Sequence, residues 1–412
     1  VEIIDLIYRT MTAKWQAQGS REAQIKELWN DYVPRHLLPR LHGYELMMAP
    51  YAIAHMKVGL KLYETGYLFK SSQRVRVYLT NALEPAQDFS GTFAFAIPAL
   101  ANESKEVNAV KEDRHFTVVI GNPPYSGRSW NLSSQLRKIV EPYRFVQGVK
   151  IQEKGALQLE KSIQEDYIKF FRLAQVALEQ AGLGLVGFVT SHGFLDNPTL
   201  RGMRSSFLGS FSHLNILDMH GNVSRGDEAP DGTNDENVFD IKKTGAAIAI
   251  LSRSPRLGEA CVFVYNLWGN RDKKYRWLSE NTAATSQATV VKPKAPQFLF
   301  VVQNLEAKEE YESGYSVAKI LPLYSKGVVT GRDAFVSDFD SAPLLSRMAD
   351  FVNSAFSDAE LIYKYNLNPS DWWNVKDARR RMPPIEQHKD FLRTMLYRPF
   401  DVRVCFYHPS VF

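Results

Sequence analysis

Cysteine is nearly absent. Cys261 and Cys405 are the two in 412 residues, too few and too far apart for a disulfide framework, as suits a reducing compartment. The nine histidines form no His-x-x-x-His pattern and no Cys-x-x-Cys occurs, so local spacing gives no reason to expect a metal. No apolar run approaches the roughly 18 residues of a membrane span and no signal peptide opens the chain; the expected location is cytoplasmic, without a membrane. Charge of one sign is also scarce. The 50 basic and 45 acidic residues leave a net +5, which permits nucleic-acid contact without requiring it. With 45% hydrophobic and 12% aromatic residues the chain reads as globular, and its length suits two or three domains.

What is present centres on residues 116–128, Phe-Thr-Val-Val-Ile-Gly-Asn-Pro-Pro-Tyr-Ser-Gly-Arg. The β-branched run 116–120, bounded by Gly121, predicts a buried strand. Pro123 and Pro124 have fixed φ and no N–H, so pairing and helix both stop there. The expected product is a rigid loop at the carboxyl end of a core strand, where open α/β sheets place ligands. The Asn122 side-chain oxygen and the Pro123 carbonyl could each accept one N–H of an exocyclic aromatic amine. That would push the nitrogen toward sp³ and free its lone pair for in-line attack on a methyl sulfonium, with Tyr125 stacked on the base. Asn122-Pro123-Pro124-Tyr125 resembles motif IV of the amino-methyltransferases that use S-adenosylmethionine (AdoMet), in the form typical of DNA adenine-N6 enzymes. Read as residues alone, the four are also an ordinary strand-ending turn.

Upstream, residues 1–29 read as amphipathic helix, already in progress at Val1 and without an initiating methionine, as in a segment of something longer. Leu41 to Leu46 predicts a short strand ending on Glu45, and 49–63 a helix with Ala52, Ile53, Met56, Leu60 and Tyr63 spaced for one face. An acid closing a strand before a helix accepts hydrogen bonds from ribose hydroxyls in nucleotide-binding half-sheets. Glu45, with Leu46 beside it, is therefore a candidate cofactor contact, resembling motif II; a helix-capping acid is the other reading. Val75 to Leu79 predicts the next strand, closed by Asn81 and Ala82. Residues 84–115 read as a polar insertion.

Downstream, 157–178 predicts one long amphipathic helix, 184–190 a buried strand, 200–211 a helix carrying Arg204, and 214–218 a strand. A polar loop, 221–237, delivers Phe239, and 245–251 is another buried strand with 261–267 as a possible hairpin partner. Phe239 could wall a base pocket opposite Tyr125 or pack in the core. Arg128 and Arg204 could meet phosphate. Arg379 and Arg380 lie in a basic cluster near Trp372 and Trp373, a composition that fits DNA backbone contact as well as a solvated helix end.

The order of Asn122 to Gly127, Asp166-Tyr167-Ile168-Lys169-Phe170, Met203-Arg204, His220-Gly221-Asn222 and Asp235 to Ile241 resembles the methyltransferase region of the type ISP restriction–modification enzymes. The resemblance also covers 326–333 and 397–403. It implies adenine-N6 methylation of double-stranded DNA with AdoMet. It implies Tyr125 and Phe239 as base-holding aromatics, Glu45 as the ribose acid, and Asn81 and Ala82 near the cofactor's adenine, where relatives usually carry an acid. It also implies upstream nuclease and translocase domains and a downstream recognition domain in a longer polypeptide. The chain carries neither the Phe-x-Gly-x-Gly cofactor turn, which the resemblance places before Val1, nor a Gly-x-x-x-x-Gly-Lys-Thr loop.

The expectation is a doubly wound, Rossmann-like α/β methyltransferase sheet at 1–270, a mixed α/β connector at 271–390, and the start of a target recognition domain at 391–412. Two other readings stay open on sequence. One is a protein glutamine methyltransferase, which uses the same motif on an amide nitrogen; the other is an inactive DNA-binding scaffold.

Overall fold

The computed structural model describes residues 1–411 apart from 86–97, 114, 125–128, 130, 153–155, 223–225, 227, 242–243, 257, 305, 323–329 and 370–372. The chain divides into two compact units, Val1–Gln303 and Asn304–Phe412.

Two tryptophans anchor the first layer. Helices α1 (Glu2–Ala17) and α2 (Glu22–Tyr32) gather Ile4, Trp15, Ile25 and Trp29 into one cluster with Leu62 and Tyr67. Trp29 Nε1 donates to Thr65 Oγ1 at 3.0 Å, which satisfies the polar edge of the indole inside the cluster. Strand β1 (His42–Glu45), helix α3 (Met48–Glu64) and strand β2 (Arg76–Leu79) follow, and the two strands pair in parallel from His42↔Arg76 to Glu45↔Leu79. This is the strand–helix–strand step expected from the sequence. The apolar stripe of α3 read from the sequence is not its buried side. Ile53, Met56, Leu60 and Tyr63 are exposed, while Leu62 and Val58 face the α1–α2 cluster. Helical spacing defines a stripe, but the neighbouring layer decides which side is covered.

The main sheet is built from β3 (Val118–Gly121), β6 (Gly184–Ser191), β7 (His213–Asp218), β8 (Ala246–Arg253), β9 (Cys261–Asn266) and β10 (Thr289–Val291). Its spatial order is β10-β9-β7-β8-β6-β3. Between these strands run α4 (Pro98–Asp113), α5 (Ser134–Ile139), the two-residue strands β4 (Phe145–Val146) and β5 (Val149–Lys150), α6 (Ala156–Ile163), α7 (Asp166–Ala181), α8 (Arg201–Ser210) and α9 (Arg271–Glu280). β3 is parallel to β6 and β7 is parallel to β9, while β8 runs antiparallel to both β6 and β7. Hence β3, β6, β7 and β9 share one direction, and their carboxyl ends form one rim. Val186, Phe188, Ile216 and Ala249 pack with Phe171 and Phe207 in a single core, as expected for strands covered by helices.

Three expectations need correction. Residues 116–120 were expected to be a buried strand, but β3 is an edge strand with one paired side among the described residues. Val118 and Ile120 are exposed and only Val119 reaches the core. The predicted long helix is two helices, α6 and α7, interrupted at 164–165. β9 is not a hairpin partner of β8, because β7 lies between them. Strand composition marks each of these segments as β, but carries no information on which strand becomes its neighbour.

In the second unit, α10 (Lys308–Ser313), α11 (Val317–Ile320), α12 (Asp333–Val336), α13 (Ser341–Val352), α14 (Asp358–Lys364) and α15 (Val375–Arg381) accompany a three-stranded sheet. Its strands are β11 (Ser337–Asp338), β12 (Leu392–Arg398) and β13 (Asp401–Phe406), in the order β11-β13-β12. Phe335, Leu344, Phe351 and Phe406 form its core. Among the described residues, no helix is long and apolar enough to cross a membrane.

Candidate functional site

Asn122 and Phe239 lie at the carboxyl-end rim of the main sheet, whereas Glu45 and Asn81 lie at one end of the separate β1–β2 sheet. Gly121 pairs with Phe188 at the end of β3, and the chain leaves the strand as Asn122-Pro123-Pro124 without regular structure. Asn122 and Pro124 are exposed and Pro123 is buried. The buried ring pins the turn, and the Asn122 amide faces outward with the Pro123 carbonyl beside it in sequence. Tyr125 and Arg128 lie outside the described residues.

The chain beyond this loop is tied down by two residues of the run Asp166-Tyr167-Ile168-Lys169-Phe170, to which the sequence reading gave no role. Ser129 Oγ donates to Asp166 Oδ1 at 2.6 Å. Lys169 Nζ donates to Ser129 Oγ at 2.8 Å and to Asn131 O at 2.6 Å. Asp166 and Lys169 are both buried in the first turn of α7, and burial lowers the Lys169 pKa. Their spacing of three puts both on one helical face, which was the signal available in the sequence. Asn131 Oδ1 in turn accepts from Asn81 Nδ2 at 2.7 Å, so the loop after β3 is joined to the loop after β2.

Asn81 has a structural task of its own. Its Nδ2 also donates to Glu84 Oε1 at 3.2 Å and its Oδ1 accepts from Leu83 N at 3.1 Å. Lys111, inside the stretch read as a polar insertion, donates to Thr80 Oγ1, Asn81 O and Glu84 O at 3.0, 2.9 and 2.7 Å. Burial lowers its pKa. Ala82 is half-buried within this turn. Glu45 closes β1, is half-buried, and accepts from Met47 N at 3.0 Å, a local cap beside the exposed Leu46. Because β1 and β2 are parallel, Glu45 and Asn81 lie at the same end of their two-stranded sheet. A carboxylate and a carboxamide oxygen at adjacent parallel strand ends suit a ribose and an adenine amino group.

Phe239 sits in the connection from the carboxyl end of β7 to the amino end of β8, which returns to the same rim. It is half-buried against Met219, Val238, Ala246 and Leu267. Its backbone is clamped. Phe239 N donates to Asn237 Oδ1 at 2.8 Å, while Asn237 Nδ2 donates to Thr244 O at 2.7 Å and Gly221 O at 3.2 Å. From α9, Arg271 donates to Asn237 O and Phe239 O at 3.1 Å each. Tyr275 OH donates to Val238 O at 2.6 Å. Lys274 Nζ reaches Met219 O, Glu236 O and Asp235 Oδ1 at 2.7, 2.6 and 2.7 Å. Gly221, at φ +82°, has the Asn237 Cα where a Cβ would be only 2.5 Å away, so the sequence His220-Gly221-Asn222 permits the two segments to touch. The clamp residues of α9 were missed because nothing in their spacing ties them to 235–241.

Two of the candidate phosphate contacts are corrected. Arg204 is fully buried and donates to the carbonyls of Phe194, Asn197 and Gln297, so it braces the core instead of meeting DNA. Arg379 is committed to Phe356 O, Asn353 O and Asp358. Arg380 remains exposed, paired at 3.1 Å with Asp377, a bond that surface screening makes weak. Trp372 lies outside the described residues, and Trp373 is buried, donating to Ser410 O at 2.6 Å.

Residues 50–224 match the family described as Eco57I restriction-modification methylase. Over this segment the chain is similar to the restriction–modification methylases. Residues 319–412 match the Type ISP C-terminal specificity domain, a match that begins within the stretch read from sequence as a connector. No curated protein matches the chain. Among solved structures, the chain is similar to the ATP-dependent Type ISP restriction-modification enzyme LlaBIII bound to DNA, at 20% identity and a TM-score of 0.62, over 98% of this chain and 27% of that one. It is also similar to a nuclease-deletion mutant of the Type ISP enzyme LlaGI in complex with a DNA substrate mimic, at 18% identity and 0.64, over 98% and 33%. A DrdV–DNA complex matches at 21% identity and 0.58, over 94% and 39%. The chain thus spans between about a quarter and two-fifths of these proteins' lengths. At such identities the likeness establishes the fold, and it agrees with the methyltransferase sheet expected from the sequence.

Proposed function

We propose that this methylase segment transfers a methyl group from AdoMet to the exocyclic N6 of an adenine flipped out of double-stranded DNA. We also propose that it does so within a restriction–modification enzyme carrying nuclease, translocase and recognition domains. The carrying observation is the exposed Asn122 held on a buried Pro123 at the carboxyl end of β3, inside the segment that matches the methylase family. AdoMet supplies an electrophilic methyl on sulfonium. Asn122 Oδ1 and Pro123 O accept hydrogen bonds from the two amino N–H groups of the target base, which localises the nitrogen lone pair for in-line attack; the N–CH3 bond would form as the methyl–sulfur bond breaks, S-adenosylhomocysteine would leave, and the proton released would pass to solvent. Tyr125 and Phe239 hold the base from its two faces. Glu45 accepts from the ribose hydroxyls, and Asn81 offers Oδ1 to the adenine amino group.

Calorimetric titration with AdoMet tests the cofactor half of this reading, on the chain and on a version extended upstream of Val1 by a Gly-rich cofactor turn. The extended protein is expected to bind, and Glu45→Ala to weaken binding by roughly 10- to 100-fold, the worth of a hydrogen bond to a charged group. Absence of binding in both proteins contradicts the assignment of Glu45 and Asn81.

A further inference from the structure

The ends of β6 and β7 carry a second cluster that methyl transfer does not use. His192 directly follows β6, Asp218 closes β7, and His220 lies two residues further on. His192 and Asp218 are buried and His220 is half-buried. One ring nitrogen from each histidine and an oxygen of Asp218 all lie within 4.8 Å of one another. His192 Nδ1 is 3.2 Å from Asp218 Oδ1, and His220 Nδ1 is 3.4 Å from Oδ2. The first pair is a hydrogen bond in this structure, and both pairs, one to each carboxylate oxygen, stand near the roughly 3.3 Å ligand–ligand edge of a tetrahedral ion with bonds of about 2.05 Å.

Two further sets of contacts hold the rings in this arrangement. His220 Nε2 is 2.9 Å from Asn266 Oδ1, an acceptor. That contact leaves Nδ1 as the ring nitrogen facing Asp218 Oδ2. The ring cannot turn away easily, being stacked on Trp268 with the planes 10° apart. On the other side, Gly245 leaves a cradle: a Cβ there would stand 2.5 Å from His192 Cε1 and 2.7 Å from Nδ1.

We propose that His192, Asp218 and His220 bind one divalent transition-metal ion. Two imidazoles and a carboxylate select a borderline cation of the zinc type over calcium or magnesium. The ion joins the ends of β6 and β7 at the root of the connection that presents Phe239. Local spacing misses this site because its first two ligands are brought together only by the antiparallel pairing of β8 with both β6 and β7.

The test is spectroscopic and independent of methyl transfer. The whole chain is stripped with a chelator and titrated with Co²⁺, then with Zn²⁺. One equivalent of Co²⁺ is expected to produce visible ligand-field bands of a low-coordinate imidazole site, and Zn²⁺ to displace it. His220→Gln, at the half-buried position, and His192→Gln are each expected to weaken binding at least about tenfold. Far-UV circular dichroism separates loss of the site from loss of the fold. Failure of the wild-type chain to bind Co²⁺ stoichiometrically overturns the proposal. So does equal affinity in a folded His220→Gln variant, which would place the ion elsewhere.

Discussion

Replacing Asn122 with alanine lowers the single-turnover rate of methyl transfer by roughly 10²- to 10³-fold, the effect of deleting one preorganised hydrogen-bonding partner of a reacting centre. The side chain is exposed and follows the last paired residue of β3, so stability should change by no more than about 0.5 kcal/mol. Cofactor affinity should stay where it was, because the residues assigned to the cofactor lie at and just beyond the carboxyl ends of β1 and β2. The combination is diagnostic. A fall in rate with unchanged stability and unchanged AdoMet binding is expected from an acceptor aimed at the amino group, and a variant as fast as the parent removes Asn122 from the chemistry. Aspartate at the same position keeps the shape and one acceptor oxygen but adds charge, and it should recover only part of the loss.

Lys274→Met should destabilise the first unit by about 3–5 kcal/mol, the usual cost of removing one partner from a buried ion pair. The side chains of Lys274 and Asp235 are both fully buried and 2.7 Å apart. The ammonium also donates to Met219 O and Glu236 O, so its three protons meet three acceptors. Without it, two carbonyls lose their donor and Asp235 keeps a single hydrogen bond, from Gly269 N at 2.8 Å, with Oδ2 unpartnered among the described residues. Combining Lys274→Met with Asp235→Asn should return part of the stability, since no charge is then left in the interior. Denaturant midpoints of the parent, single and double variants measure this directly. A single-variant loss below about 1 kcal/mol would mean that the pair does not hold the 235–241 segment in place.

The strands were legible because short apolar runs stand out between polar segments: 184–190, 214–218 and 245–251 each became a strand within a residue or two. Neighbour choice was not legible. The apolar run before Asn122 reads as a core strand, yet β3 is an edge strand, and the apolar stripe on α3 faces outward. Both are facts about which layer lies next to which, and a local pattern does not contain them. The Asn-Pro-Pro motif was legible because its chemistry is local. Its supports were not. Asp166, Lys169, Lys111 and Lys274 act across 27 to 55 residues of chain, and a buried lysine bonded to carbonyls looks in sequence like any solvated one. Arg204 shows the same effect in reverse, since a basic residue on a predicted helix proved to be a core brace.

The most direct measurement is nucleoside analysis by mass spectrometry after incubating duplex DNA with methyl-labelled AdoMet. The protein would be the chain extended upstream by the cofactor turn, in parallel with its Asn122→Ala variant. The account predicts label in N6-methyladenine, little or none in methylated cytosine, and loss of the adenine product in the variant. Label in cytosine, or the same adenine product from the Asn122→Ala variant, would contradict it.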